Sequence, residues 1–315
     1  MRVLVTLVLA SAALCGVDAQ LVSKQVGQVQ SRSLDEASGL VMSRKHAGVY
    51  WTHNDGGDGV LYAISSDGST IGKITIDAKF HDWEDIANDE KGNLYLGDIG
   101  DNKHDRTHIR VYRMAEPDPA TRKKLKVDAE WKLTFPDHPR NCESLFVLNG
   151  YGYIISKLKM GEHAGVYRFP LDEKRDHQLE AVCDLPITDA VTAADISADG
   201  RQLAVLSQHA LSIFQIEGDV KKAANLTPRT FPSAYIRAEG CCFNPQGILT
   251  IAESGEIVQF TIDRIPATTQ AGGSSSPSPR YAGERGGGEG LGGSERGLTF
   301  ESNQPLSPIP PLPRS

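Results

Sequence analysis

Five similar segments follow one another along the middle of the chain, and this repetition restricts the possible folds more than any other feature. Each copy has an acidic residue, a short apolar strand, a glycine-centred turn and a second strand with alternating polarity. The copies occupy residues 36–55, 84–98, 143–157, 195–209 and 239–253, and their acidic residues are 48, 59, 52 and 44 positions apart. Repeats of this length that contain only strands and turns are typical of a β-propeller.

A third strand follows the two strands of every copy, and a fourth follows four of them. The third strands are predicted at 60–64, 109–114, 165–169, 210–214 and 257–261, and the fourth at 71–76, 130–135, 179–183 and 229–231. The last copy lacks a fourth strand, but an alternating segment at 21–29 can supply it and cover the open sheet edge. The sequence therefore predicts an all-β fold, a propeller of five four-stranded blades closed by an N-terminal strand. Six blades are the alternative if the long second interval contains another hairpin.

The two ends of the chain lie outside the repeat. Residues 1–19 contain one arginine, an apolar run and a Val-Asp-Ala sequence, the pattern of a secretory signal peptide that is cleaved after Ala19. The apolar run is shorter than the roughly 20 residues that cross a membrane. Residues 266–315 are rich in glycine, serine and proline, a composition typical of a disordered tail. We therefore expect a secreted or periplasmic protein with a propeller domain at 20–265 and no membrane span.

Composition narrows the range of partners. Hydrophobic residues make up 39% of the chain, which is sufficient for a core, and the formal net charge is −7. An acidic balance of this kind lacks the basic surface that nucleic-acid binding requires. We expect a monomer whose ligand is a small molecule or a protein.

Four cysteines belong to the predicted mature chain: Cys142, Cys183, Cys241 and Cys242. An exported protein can form disulfides, and an even number of cysteines permits complete pairing. Their spacing leaves two alternatives open, disulfide pairing or burial as apolar thiols.

The first strand of a propeller blade lines the central channel, so the acidic residue of each copy is expected near one axis. The ends of the second strands add oxygen ligands at the same mouth. The predicted metal ligands are Glu36, Asn54, Asp55, Glu84, Asp98, Glu143, Asp195 and Glu239, with Asp101, Asn102 and Glu253 nearby. Converging carboxylates repel one another unless a proton or a cation neutralises them, and Ca²⁺ takes six to eight such oxygens. The alternative is that these residues cap strands or bind backbone amides, with Lys157 as a counter-charge.

These residues fit functions of different classes. In the first, the propeller binds a divalent cation, with Ca²⁺ expected, and a ligand at the channel mouth. In the second, it is a calcium-dependent hydrolase of lactones, esters or phosphoesters, in which His53 or Asp85 transfers the proton. Glycoside cleavage by paired carboxylates is a third hypothesis. The sequence has no signature of a serine nucleophile, a zinc protease or a nucleotide site.

Several strings within the repeat resemble a family of exported bacterial propeller proteins that are uncharacterised or labelled WD40-like or "esterase-like activity of phytase". The strings are EASGL (36–40), YWTHND (50–55), DWEDIA (82–87), GDIGDN (97–102) and VYRMAEP (111–117). The resemblance covers about residues 30–260 and implies the fold and export, but no particular reaction. More distantly, the chain is similar to the SdiA-regulated family and to the gluconolactonase and paraoxonase propellers. That similarity implies calcium at the channel acids named above.

Overall fold

The computed structural model describes residues 19–56, 58–158, 163–232 and 237–264. These residues form twenty-two β-strands and one short 3₁₀ helix at Val220–Asn225. The predicted signal peptide, apart from Ala19, and the predicted tail at 266–315 lie outside the described residues. Within the described part, no helix has the length and apolar character needed to cross a membrane.

The strands form five antiparallel sheets whose innermost strands contact one another in a ring, so the protein is a five-bladed β-propeller. Blade 1 contains β2 (Ala37–Met42), β3 (Tyr50–Asn54), β4 (Val60–Ile64) and β5 (Thr70–Asp77). Blade 2 contains β6 (Trp83–Asn88), β7 (Asn93–Asp98), β8 (Ile109–Ala115) and β10 (Ala129–Thr134). Blade 3 contains β11 (Cys142–Leu148), β12 (Tyr151–Ser156), β13 (Ala164–Pro170) and β15 (Glu180–Leu185).

Blade 4 contains β16 (Val191–Ile196), β17 (Gln202–Ser207), β18 (Ala210–Gln215) and β19 (Arg229–Pro232). Blade 5 contains β20 (Ala238–Asn244), β21 (Gly247–Ala252), β22 (Glu256–Arg264) and β1 (Ala19–Gln28). Two short strands, β9 (Leu125–Lys126) and β14 (Asp176–Gln178), each add a parallel edge strand to the preceding blade. The long second interval of the repeat therefore contains β9 and its loops rather than a sixth blade.

Apolar packing between the blades explains why the ring forms. The buried apolar residues fall into five clusters, and each cluster lies between two adjacent blades. Inner strands are covered on both faces, so all six residues of β6 are buried, whereas β5 alternates between buried and exposed residues. The outer strand β5 shows this difference in its sequence, because apolar and polar residues alternate along it, whereas the inner strands bury polar residues such as Glu84 and Asp85 as well as apolar ones.

The N-terminal strand closes the ring as predicted. In β1, residues pair antiparallel with β22 from Ala19 opposite Arg264 to Gln28 opposite Glu256. The turn between β4 and β5 of blade 1 holds the end of this strand, because Gln28 N–H donates to the Asp67 carbonyl at 3.2 Å. At Gly27 an added Cβ atom would lie 2.5 Å from the Asp67 carbonyl carbon, so a side chain has no room at this junction.

Asp85 on β6 joins the inner strands at the axis. Its carboxylate accepts hydrogen bonds from the backbone N–H groups of Ile86 at 2.8 Å and Leu145 of blade 3 at 2.7 Å. It also accepts a hydrogen bond from the backbone N–H of Ala194 in blade 4. One buried carboxylate thus links three blades.

Replacing Gly27 by alanine tests the closure between β1 and blade 1. Because the new methyl group would meet backbone atoms, we expect Gly27→Ala to lower the free energy of unfolding by about 1–3 kcal/mol. Thermal melting should show a decrease of about 3–10 °C in Tm. Ser23→Ala on the exposed part of the same strand is the matched control and should melt like the wild type. Equal Tm values for the two variants would contradict this account of the closure.

Candidate functional site: an acidic cavity at one end of the channel

Each inner strand has a β-bulge near its first residue, and the bulge fixes which side chains reach the channel mouth. Equivalent pairs of residues at this end join the first and second strands of the blades. They are Ala37–Asn54, Trp83–Asp98, Cys142–Ser156, Val191–Ser207 and Ala238–Ala252. The next residues along the inner strands are Ser38, Glu84, Glu143, Thr192 and Glu239. Three of the five equivalent positions are therefore glutamates, and two carry hydroxyl groups.

The hydroxyl groups link neighbouring blades. Ser38 Oγ donates to the Glu84 carbonyl of blade 2, and Thr192 Oγ1 donates to the Ala238 carbonyl of blade 5, both at 2.7 Å. The three glutamates instead face a cavity of about 120 Å³ at the mouth. Its charged lining consists of Glu36, Asp55, Glu84, Glu143, Glu239, Glu253 and Lys157. Six carboxylates and one ammonium group therefore share this cavity.

Three carboxylates at one side of the mouth are close enough to bind one ion. Oxygen atoms of Asp55, Asp82 and Glu84 all lie within 4.8 Å of one another. Two oxygens on opposite sides of Ca²⁺ are about 4.6–5.2 Å apart, so this spacing fits that cation. Gly100 leaves the room for them, because an added Cβ atom would lie 2.3 Å from Glu84 Oε1 and 2.4 Å from Asp82 Oδ2.

Two positive side chains near the mouth form ion pairs with two of its carboxylates, and the other carboxylates have no such pair among the described residues. Lys157 forms an ion pair with Glu143, and Arg237 forms one with Glu253 at 2.8 Å. Burial lowers the pKa of Lys157, but the neighbouring carboxylates outweigh burial and raise the pKa overall. The ammonium group is therefore charged at neutral pH.

Burial and mutual repulsion raise the pKa values of the carboxylates. For Glu84, which is 5% exposed, burial is the largest cause, followed by the charges of Glu143 and Asp55. Burial and the charge of Glu143 raise the pKa of Glu239 to about 7. The pKa of Asp82 is also raised by burial, although the positive charge of Arg106 opposes this. These carboxylates therefore keep their protons to a higher pH than separated, exposed carboxylates would.

Asn54 and Asp98, two predicted metal ligands, occupy equivalent positions but face away from the cavity. Asn54 Oδ1 accepts hydrogen bonds from the N–H groups of Asp35 and Glu36 at 3.1 and 3.2 Å. Asp98 Oδ1 accepts them from His81 and Asp82 at 2.9 and 2.8 Å, and its other oxygen pairs with Arg106. Both residues cap the loop that leads into an inner strand, as in the capping alternative considered from the sequence.

Two further acidic positions differ in register from the sequence alignment. Glu36 lies two residues before Ser38, the structural equivalent of Glu84, and reaches the mouth from the preceding loop. Asp195 lies three residues after Thr192 and is directed to the opposite end of the channel, where its carboxylate accepts a hydrogen bond from Phe243 N–H at 2.8 Å. The structure thus does not bring Asp195 to the acidic mouth. The sequence alignment could not reveal this, because a bulge changes register without changing the composition of a repeat.

Near the mouth, Asp101 and Asn102 are also occupied by local contacts. The carboxylate of Asp101 accepts hydrogen bonds from the N–H groups of Asp105 and Arg106, and Asn102 Oδ1 accepts one from Asn141. In blade 4 the residue equivalent to Lys157 is Gln208. His209, the next residue, does not line the acidic cavity, and its ring contacts Asp189.

His53 and Asp85, the predicted proton-transfer residues, are both buried beneath the mouth. The His53 ring stacks on Trp83 with 3.9 Å between centroids, and its Nδ1 lies 2.9 Å from the Asn54 carbonyl. Burial lowers the pKa of His53 to about 3, so the ring is neutral. Asp85 is 1% exposed, and both of its carboxylate oxygens accept backbone hydrogen bonds. Neither residue lines the acidic cavity, so their placement does not agree with proton transfer there.

Asp82 and Gly100 are the site residues that the sequence analysis did not select. Asp82 lies in the string DWEDIA and Gly100 in GDIGDN, both of which carry more acidic residues than the repeat requires. This excess of acidic residues was the sequence signal that could have indicated them.

The four cysteines of the propeller are all free thiols, so Cys241 and Cys242 do not form a bridge with each other.

Comparison of the chain with protein-family models gives no match, and comparison with curated proteins gives none either. The resemblance to exported propeller proteins therefore stays a prediction from the sequence strings. The candidate site has to be interpreted from its own geometry.

The pKa of Glu239 predicts how stability depends on pH. The pKa of Glu239 rises from 4.5 to about 7 on folding. Its contribution to the free energy of unfolding is therefore fully present below pH 4.5 and is lost as the pH rises through about 7. In metal-free buffer, Glu239→Gln should therefore flatten the decrease in Tm between pH 4.5 and 8. The control Glu173→Gln, at a fully exposed position, should keep the wild-type curve. Parallel wild-type and Glu239→Gln curves would contradict this prediction.

Proposed function

We propose that this propeller is exported and binds a divalent cation, with Ca²⁺ the best fit, at the acidic mouth of its channel. The observation that carries the proposal is the convergence of Asp55, Asp82 and Glu84, whose oxygens lie within 4.8 Å of one another. Hard oxygen ligands of this kind suit Ca²⁺. Asp55 is exposed, so the cation would keep open positions for water or for an oxygen atom of a ligand.

Charge balance supports the same proposal. The cavity contains six carboxylates but only one lysine, and the pKa values of Asp55, Glu84 and Glu239 are all raised. A divalent cation would relieve this repulsion. Sites in extracellular modules bind Ca²⁺ with Kd values of about 0.1–1 mM, and export would place the protein where calcium reaches such concentrations.

Calorimetric titration and thermal melting test the cation site. We expect Ca²⁺ to bind with a Kd of roughly 0.1–1 mM and, at 10 mM, to raise Tm above the value in chelator. Glu84→Gln removes one charged ligand without changing the side-chain volume, and should weaken binding about tenfold or more. Glu173→Gln changes the same charge at a fully exposed position and should bind like the wild type.

Lys157→Met should change calcium affinity in the opposite direction to Glu84→Gln, and so gives a second test of the same site. Removing the ammonium group leaves Glu143 without its ion pair, so Tm in chelator should fall. Calcium affinity should rise about tenfold, because one repelling positive charge is removed from a partly buried cavity. If wild-type protein gives neither heat nor a Tm shift, or if Lys157→Met weakens binding, the cation proposal fails.

Hydrolysis that depends on the bound cation is the second candidate, and Glu239 is the observation that favours it. This residue is partly exposed, lines the same cavity as Asp55 and Glu84, and has a pKa of about 7. A carboxylate with such a pKa suits a general base that takes a proton from a water molecule, while the cation polarises the scissile group. In this version the base is Glu239 rather than the buried His53 or Asp85.

Turnover of 4-nitrophenyl acetate, δ-valerolactone and bis(4-nitrophenyl) phosphate tests this second function. We expect at least one substrate to be hydrolysed in calcium but not in chelator. Glu239→Gln should lower kcat about 10²-fold or more, and calorimetry should show that it still binds calcium. A rate that is equal in chelator would exclude hydrolysis that depends on the cation, and a rate that is unchanged in Glu239→Gln would exclude Glu239 as the base.

A further inference from the structure

The opposite end of the channel contains a second cavity that shares no lining residue with the acidic mouth. Its volume is about 420 Å³, which is within the range of small-molecule sites. Most of its wall is apolar and comes from Val41, Met42, Ile196, Ala198, Phe243 and Pro245. The channel is closed between the two ends, since Asp85 joins three inner strands and Gly240 packs against Gly39 so tightly that an added Cβ atom would lie 2.7 Å from the Gly39 carbonyl carbon.

Arg44 is the cationic side chain in the wall of this cavity. Its backbone N–H donates to Glu116 Oε2 at 3.1 Å, and its Nε donates to Asn88 Oδ1 at 3.0 Å. Asn88 is buried, and its Nδ2 donates to the Met42 carbonyl at 2.8 Å. The bond from Nε to Asn88 therefore orients the guanidinium group, while the Arg44 side chain stays exposed to solvent. Within the described residues, its two terminal nitrogens have no hydrogen-bond partner.

The other polar side chains of the cavity already have partners. Ser197 Oγ donates to Asp199, Gln202 Nε2 donates to Gln215, and Asn244 Nδ2 donates to Gln259. Asp195 accepts its hydrogen bond from Phe243 N–H. The unmet hydrogen-bonding capacity therefore belongs to the Arg44 terminal nitrogens, which can bind both oxygens of one carboxylate.

We propose that this cavity binds a monocarboxylic acid with an apolar body, the carboxylate on Arg44 and the body against Met42, Ile196 and Phe243. Among anions, a dianion such as a phosphate monoester is disfavoured more strongly than a monocarboxylate, because the wall also contains Asp195 and Asp199 and has one guanidinium to balance them. A neighbouring depression shares Arg44, Asn88 and residues 196–199 with this cavity, but its remaining wall brings in further charged residues and a larger share of its lining surface is polar. The apolar body therefore fits the more apolar cavity better.

Calorimetry with octanoate, octanol and acetate tests the two halves of this recognition. In metal-free buffer, octanoate should bind at least about tenfold more tightly than octanol, which lacks the charge, and than acetate, which lacks the apolar body. Because the probes are added without calcium, the result does not depend on the cation site at the other mouth. Equal binding of octanol and octanoate, or no octanoate binding at 10 mM, would overturn the proposal.

Variants locate the binding. Arg44→Met keeps an unbranched side chain but removes the guanidinium group, and should weaken octanoate binding about tenfold to hundredfold, since a bidentate charged pair is lost. Lys91→Met removes a positive charge from the neighbouring depression and should leave binding unchanged. Ala198→Trp fills the cavity from an exposed position without changing Arg44, and should also weaken binding, which keeps the test decisive if Arg44→Met does not fold. Unchanged affinity in either Arg44→Met or Ala198→Trp would overturn the proposal.

Discussion

The buried carboxylate of Asp85 is the interaction on which the arrangement of the blades depends. Inner strands of a propeller pair only within their own sheets, so their remaining backbone donors at the axis need partners from elsewhere. Asp85 meets this need by accepting hydrogen bonds from Ile86, Leu145 and Ala194, which belong to three different blades. Asp195 does the same between blades 4 and 5. These two carboxylates stay inside the channel because backbone amides replace the water that they lose.

The strands that Asp85 joins also close the middle of the channel, and they separate two chemically different ends. At one end, Glu84, Glu143 and Glu239 occupy equivalent positions and make the mouth acidic. At the other end, the wall is mainly apolar and Arg44 is its one cationic side chain among the described residues. A propeller in which Asp85 closes the middle of the channel therefore has a separate cavity at each end, and the lining of one cavity can be changed without altering the other.

The sequence predicted the blades well and the site only in part. Apolar runs, alternation and glycine turns each depend on a few neighbouring residues, so strand positions and the closing strand agree with the structure. The β-bulges do not have such a local signal. Consequently Ser38 and Thr192, rather than Glu36 and Asp195, are the equivalents of the three glutamates. The side chains of His53, Asp85 and Asp98 are held largely by residues outside their own strands. Trp83 stacks on His53, the N–H of Leu145 donates to Asp85, and Arg106 pairs with Asp98, so the sequence could not show that these side chains are engaged by the fold.

The pairing of β1 with β22 has a consequence for the order of folding events. During synthesis, residues 19–28 leave the ribosome before any of the five inner strands, but their partner strand at 256–264 is made more than 200 residues later. The four main strands of each of blades 1 to 4 come from one continuous stretch of the chain and can assemble as they emerge, whereas the fifth sheet needs both ends of the propeller at once. Contacts of such long sequence separation form slowly. Any chain that stops before residue 256 would lack the whole strand that binds β1, and would leave apolar edges that chaperones and proteases recognise.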